Sequence, residues 1–533
     1  MNARFIVTIA IAVITTPQLP GQTRDSLWLA TIRREGLERS QVMETLSWLT
    51  DVHGGRLTSS PASNAAAVWA ERRMASWGIS TVYREYWGPP WPGWTNELLW
   101  VRATAPQPFQ ITAIALPWTA GTRGIIRGPA MLVTDLGSDS SFARYRGKLR
   151  NAFVMLDEPP PISPPLFEAL ASRLSPKDLQ TMKSPDPAVV ASQLDSTQIA
   201  MRARMASKRA ELRAFTKRRL RFLADEGAAA LINVGAGFGG TVFMSLVGLE
   251  WPEPLDPAPL PVLTFAGDHY GRIARVLRKG LPVTLEAEVR NAITPARDSA
   301  FNLLAEIPGT DRRDEVVMFG AHFDSYHFAT GATDNAANVA TMMEAIRILK
   351  ATGVPLRRTV RLALWTGEEQ GLFGSRAYVQ RHFVDSVGNT RPDAARFAAY
   401  YNLDNGAGAI RGIHIDRLIQ LSGTTDSLFG RWAQLLPGDL GFQTISARGI
   451  GGTDHVSFHS KGLPGFQFVQ DWMTYFTLSY HSNSDAYERV VPDDVKKNAV
   501  IVASWVYLTA NHTSTLPRVK ASNSAVPGGG RVP

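Results

Sequence analysis

The chain has 533 residues, 44% of them hydrophobic and 19% charged, with a formal net charge of +9 at pH 7. That composition is globular, and the length exceeds what one hydrophobic core usually fills, so two or more domains are expected. Cysteine is absent, which excludes disulfides, thiolate metal sites, a cysteine nucleophile and a lipid-modified N-terminal cysteine, and leaves histidine and carboxylates as the strong metal ligands.

Residues 1–21 place Arg4 ahead of an apolar run, Phe5 to Ile14, broken between Pro17 and Gly21. The run is too short to span a bilayer and reads as a signal peptide cleaved near Gly21 or Gln22, which implies a secreted or periplasmic protein. An uncleaved anchor is the alternative. Over 22–110 helices precede an extended strand. Ala66, Trp69, Ala70, Met74 and Trp77 recur at helical spacing, Gly78 fits the stop, and YWGPPWPGW reads as loop. From 111 to 295 the texture turns to short β-runs (AMLVTDL, NAFVMLDE, ALINVG, PVLTFAG, VTLEAEV), which predict an inserted β-rich domain.

A Pro-rich and then helical insert over 158–225 interrupts that domain. Within its 201–221 stretch Arg202, Arg204, Lys208, Arg209, Arg213, Lys217, Arg218, Arg219 and Arg221 face a single acid, Glu211. Met205, Leu212, Phe215 and Phe222 form the apolar stripe of an amphipathic helix. The segment reads as a solvated basic face covering another domain. Peripheral contact with an anionic lipid surface is the alternative, and nucleic acid is disfavoured because no aromatic stacking platform accompanies the charges. Clean α/β patterning runs from 296 to 512, and the Pro/Gly/Ser-rich 513–533 reads as a disordered tail.

His322, Asp334, Glu368, Glu369, Asp404 and His481 stand out in this last α/β stretch. The runs EVVMFGAHFD, TVRLALWTGEE and FAAYYNLD each read as a buried strand delivering such a residue at its end. In an open α/β sheet, ligands bind beyond the carboxyl ends of the strands. Imidazoles and carboxylates converging there suit zinc, which takes three protein ligands at a catalytic site, and five candidates remain once one Glu is reserved as a base. Singly, each has a plainer reading: Asp334 as the N-cap of the helix marked by Ala336, Val339, Met343 and Ile346, Asp404 as an Asx-turn, Glu368-Glu369 as solvated loop acids. Together their order, type and strand-end placement favour a site, with Asp324 as the carboxylate that orients His322.

The stretches GAHFDS, GATDNAANVA, WTGEEQGLFGS, NLDNGAG and YHSNSDAYERV resemble the di-zinc metallopeptidase family that includes secreted bacterial leucyl aminopeptidases, aminopeptidase Y and glutamate carboxypeptidase. HGGRLTSSPASNAAAVWAERRMASWGI is similar to the segment that opens the family's catalytic domain, and GKLRNAFVMLD and EGAAALINVGAG are similar to a protease-associated domain. The resemblance implies a mixed, mostly parallel central sheet sandwiched by helices, with the β-rich domain inserted. It implies that two Zn²⁺ are bound, His322 and Asp404 holding one, Glu369 and His481 the other, with Asp334 bridging and Glu368 as general base. The family more often has Ser-Gly where this chain has Ala337-Asn338, a helix-packing position.

Two metals about 3.5–4 Å apart hold a bridging hydroxide and polarise a scissile carbonyl. Glu368 then carries the water proton to the leaving amine, and Tyr480 is a candidate for stabilising the oxyanion. The expected activity is an exopeptidase acting on the N-terminal peptide bond, with an apolar first residue received by Trp472, Tyr475 and Phe476. The alternatives are a carboxypeptidase, for which Arg411 and Arg448 are the nearby cations, a glutaminyl cyclase, and a non-catalytic receptor-like homologue. A serine hydrolase is excluded because no G-x-S-x-G elbow stands in a strand–helix context.

Overall fold

A computed structural model describes residues 24–159, 169–184, 196–244, 256–295, 299–385, 387–415 and 424–518. The expected signal peptide, residues 1–21, lies outside the described residues. No helix among the described residues is long and apolar enough to cross a membrane.

The chain builds two eight-stranded sheets. The first runs in the order Thr81–Pro90, Ser299–Ile307, Arg358–Trp365, Arg312–His322, Phe397–Asn402, Gly465–Gln470, Ile410–His414 and Thr444–Ser446. Its centre is parallel: Arg312–His322 pairs in parallel with Arg358–Trp365 and with Phe397–Asn402, which pairs in parallel with Gly465–Gln470. Antiparallel pairs flank that centre. Strands buried on both faces must be apolar throughout, which is why VVMFGAH, RLALW and FAAYYN read as continuous runs. Helices Arg24–Glu38, Pro61–Ser76, Ala337–Thr352 and Pro492–Asn511 share one large core with one face, while Phe373–Phe383 and His455–His459 contribute to a smaller core on the other. Gly320 is required where neighbouring strands meet, since a Cβ there would lie 1.9 Å from the Ala363 carbonyl oxygen.

The second sheet has its own core and the order Phe109–Gln110, Gly93–Ala105, Thr284–Thr294, Ile126–Leu132, Phe153–Met155, Ala230–Val234, Val262–Phe265 and Ala113–Ala115. It therefore begins at Gly93, ahead of the boundary expected at 111. YWGPPWPGW is not the expected loop either. Its first half ends the strand Thr81–Pro90, and its last two residues open the strand Gly93–Ala105. Burial of Trp87, Trp91 and Trp94, at 1%, 7% and 0% exposure, outweighs the breaker composition. The prolines are tolerated because Thr81–Pro90 is an edge strand.

The basic segment is part of a helix, Ser196–Asp225. Leu220 and Leu223 enter the second core, and Phe222 stacks on Phe142 at 4.5 Å. Leu212, assigned to the apolar stripe, is exposed instead. Lys217 and Arg221 approach Asp256, and Arg218 pairs with Asp139. At the C-terminus, Leu516 is buried and Arg518 donates to the carbonyls of Ala394 and Phe397. Ordered packing thus extends into the expected tail as far as Arg518, because these two side chains find a core and acceptors. Residues 519–533 lie outside the described residues.

Candidate active site

The parallel strands deliver the singled-out residues to one edge of the first sheet. His322 ends its strand, Glu368 and Glu369 follow Trp365, Asp404 follows Asn402, and Asp334 sits just before the helix Ala337–Thr352. His481 arrives on a separate loop. The contacts sort into two groups about Asp334. His322 Nε2 lies 3.2 Å from Asp334 Oδ1 and 3.2 Å from Asp404 Oδ1. His481 Nε2 lies 3.3 Å from Asp334 Oδ2 and 3.0 Å from Glu369 Oε2. Each oxygen of one carboxylate thus faces a different His–carboxylate pair.

The set fits divalent metal. Ligand atoms of His322, Asp334 and Glu369 lie within 4.8 Å of one another. Asp334 Oδ2 and Glu369 Oε1 are buried yet accept no hydrogen bond, an arrangement costly for carboxylates unless a cation compensates. Burial pushes Glu368 well above the usual carboxylate range, against the pull of His322 and with repulsion from Asp404, Asp454 and Glu369. Burial and then Asp334 raise Glu369 to about 7. Burial opposes charge on His322 and His481, but the surrounding carboxylates prevail, raising His322 well above its ordinary value and His481 to about 10.

Local hydrogen bonds explain how the ligand-bearing loops are held. Asp324 orients His322 differently from expectation. The His322 Nδ1 contact at 2.9 Å is to the Asp324 main-chain oxygen, while the carboxylate stands 3.8 Å away. That carboxylate instead accepts from the amides of Glu368 and Glu369, both at 3.3 Å, and from the Thr58 hydroxyl at 3.0 Å. Arg56 is fully buried and donates to the carbonyls of Leu49, Gly54, Phe323, Thr330 and Gly331, tying the N-terminal segment to both loops that flank the site. Asp485 accepts from the amides of Thr333 (2.7 Å) and Asp334 (3.0 Å). Ala337-Asn338, the departure from the family pattern, makes a polar clamp: Asn338 donates to Asn335 Oδ1 and to the Gly406 carbonyl, and accepts from Gln470.

Tyr480 stacks on His481 with centroids 3.8 Å apart, and burial followed by nearby Asp334 and Glu369 keeps its phenol protonated. Trp472, Phe476 and Tyr480 are 44%, 53% and 39% exposed, the Phe476 ring touching the other two, whereas Tyr475 is buried against Phe476 and Tyr480. Arg411 is bound to Asp471 and Gln443. Asp454 was missed by sequence reasoning. It is fully buried, and burial raises it to about 7 against the pull of the Ser375 hydroxyl and His322 and with repulsion from Asp404 and Asp324. Its only sequence signal was the Asp-His pair in GGTDH, ahead of a short helix instead of at a strand end. Tyr326, which lines the same small pocket as Asp334, Glu369 and His481, was also missed.

Residues 302–506 match the peptidase family M28, a span that contains all six singled-out residues. Carboxypeptidase Q of Homo sapiens is 26% identical over 291 residues, covering 54% of this chain and 57% of the relative, so the chain spans little more than half the length of the curated relatives it matches. A peptidase M28 precursor from Shewanella amazonensis shares the fold with a TM-score of 0.64 at 21% identity, covering 93% of this chain and 98% of that one. BSAP, a zinc aminopeptidase from Bacillus subtilis, does so with a TM-score of 0.52 at 17% identity, covering 92% and 96%.

Proposed function

We propose that the protein is a secreted or periplasmic zinc exopeptidase that removes the N-terminal residue of peptides. The observation that carries this reading is the pair of contacts made by Asp334, one oxygen to the His322–Asp404 pair and the other to the Glu369–His481 pair. His322, Asp404 and Asp334 would hold one ion, and Glu369, His481 and Asp334 the other. Zinc bound there supplies Lewis acidity and a water acidic enough to ionise near neutral pH.

The remaining steps belong to the chain. Glu368 is not needed as a ligand, and its raised proton affinity suits it to take a proton from the attacking water and pass it to the leaving amine nitrogen. Asp324 holds the Glu368 and Glu369 amides, so base and ligand keep a constant separation. We assign the Tyr480 phenol, kept protonated by burial and by nearby Asp334 and Glu369, to donate to the carbonyl oxygen as charge develops. Trp472, Phe476 and Tyr480 offer an apolar first side chain a surface worth about 25 cal/mol per Å² buried. The second sheet is read as a protease-associated domain.

Both His–carboxylate pairs being complete favours a peptidase over a one-zinc glutaminyl cyclase and over a receptor-like homologue. Of the two nearby cations, Arg411 is occupied by Asp471, which weakens it as a carboxylate binder, whereas the Nε of Arg448 is buried without a hydrogen-bond partner. The carboxypeptidase reading has support from the carboxypeptidase Q relatives. A panel of aminoacyl and N-acetylated substrates separates the two: equal kcat/KM for acetylated and free-amine peptides, or cleavage confined to C-terminal residues, rejects the aminopeptidase assignment.

A further inference from the structure

His481 is the one proposed ligand with a left-handed backbone, φ +49°. A histidine pays strain for that conformation, which persists only where surroundings impose it. Here the imposing element comes from the second sheet. The Met244 amide donates to the His481 carbonyl at 2.8 Å, and Phe243 and Ser482 form an antiparallel bridge. Asn483 is bonded on three sides: its Oδ1 accepts from Val242 N at 2.7 Å, its Nδ2 donates to Gly240 O at 3.1 Å, and its own amide donates to Val242 O at 3.3 Å.

The loop that makes these contacts is itself fixed. It leaves the strand Ala230–Val234, Gly235 N donates to Phe265 O of the neighbouring strand, and Val242 is wholly buried in the second core. It turns tightly at Gly237, φ +111°, where a Cβ would meet the Thr241 carbonyl at 2.5 Å. His322 is held otherwise, within its own strand and by the Asp324 carbonyl two residues on. The two halves of the cluster therefore have different supports.

We infer that Asn483 is a positioning residue through which the second sheet holds His481, and so sets the affinity of one metal position and not the other. The inference rests on the two-metal reading above. It makes the second sheet a functional part of the site, because the loop 235–244 fixes the carbonyl of the residue whose imidazole faces Glu369 and Asp334.

The test uses the full-length protein, its Asn483→Ala variant, and Asn483→Asp, which keeps an acceptor for Val242 N and loses the donor to Gly240. Zinc bound per chain is measured against buffered free zinc, without reference to activity. The wild type should bind two ions. Asn483→Ala should bind one ion with unchanged affinity and the other about 10–100-fold more weakly, with Asn483→Asp between the two. A merely structural role would weaken both ions together or neither. Unchanged binding of two ions by Asn483→Ala, or equal weakening of both, overturns the brace and leaves the two-metal reading standing. Fewer than two ions on the wild type overturns the two-metal reading, and the brace with it.

Discussion

Glu368 and Glu369 are adjacent, both half-buried on the same loop, and differ in what they face. Glu369 Oε2 is 3.0 Å from His481 Nε2, whereas Glu368 is governed by burial, His322, Asp404 and Asp454. Glu368→Gln should therefore retain both metals and lose about 10²–10⁴-fold in kcat, while Glu369→Gln should lose metal from the His481 position. Metal analysis beside single-turnover rates checks both, and metal loss in Glu368→Gln alone would exchange the roles. Arg56 acts at the same scale without touching the metal ligands. Its guanidinium satisfies five buried or partly buried carbonyls, and unsatisfied buried polar groups cost about 1–3 kcal/mol each. Arg56→Met should lower stability by about 3 kcal/mol or more, read as a shift in urea midpoint.

At the scale of elements, the site depends on how closely the parallel strands approach. Gly320 lies two residues before His322, opposite Ala363. Gly320→Ala drives a methyl against the Ala363 carbonyl, 1.9 Å from where its Cβ would sit, so the strands carrying His322 and Glu368 must part. Overpacking of this kind costs about 1–3 kcal/mol, and near-attack geometry is lost with it. The variant should melt earlier and show a kcat loss larger than its KM change. A fall in stability with wild-type kcat would mean that strand separation does not reach the site.

At the scale of the whole molecule, the two sheets meet around His327, which contacts the Ala115 carbonyl at 2.9 Å and packs against Trp94 at 4.5 Å. Its other ring nitrogen is buried without a partner, and burial lowers its pKa to about 4, against a smaller opposing effect of the Ala115 bond. The native state thus binds the proton more weakly than the unfolded chain, whose histidines titrate near 6.5. This contribution to stability is complete above pH 6.5 and is lost as pH falls toward 4, by about 1–3 kcal/mol. His327→Gln, which keeps a donor for Ala115, should flatten that part of the pH–stability curve, measured on metal-free protein so that ligand protonation is common to both. Removing zinc should in turn lower the melting temperature of the wild type, since an ion bound only by the native state stabilises it by mass action.

Much of the first sheet was legible in the sequence because burial on both faces forces a continuous apolar run, and a run that stops at a His or an acid marks the edge where ligands gather. His322, Glu368, Glu369 and Asp404 were found that way, and the helix over 337–352 by its period. Trp87, Trp91 and Trp94 were misread as loop because Pro and Gly around them are local signals, while the partners that bury them, Phe373 and Ala300 for the first two and His327 for Trp94, are far along the chain. Asp454 escaped for the same reason: it does not end a strand, and its burial beside the cluster depends on loops from elsewhere. By itself the sequence determined the residue types, their order and the strand ends that present them, since these follow from side-chain chemistry and short-range periodicity. Only the tertiary structure decided that each oxygen of Asp334 faces a different pair, that the Asp324 carbonyl rather than its carboxylate meets His322, and that a loop of the second sheet grips Asn483. Those arrangements rest on contacts between segments distant in the chain, such as Asp334 with His481 and Val242 with Asn483, or on backbone geometry within a few ångströms, and neither is encoded in a local pattern.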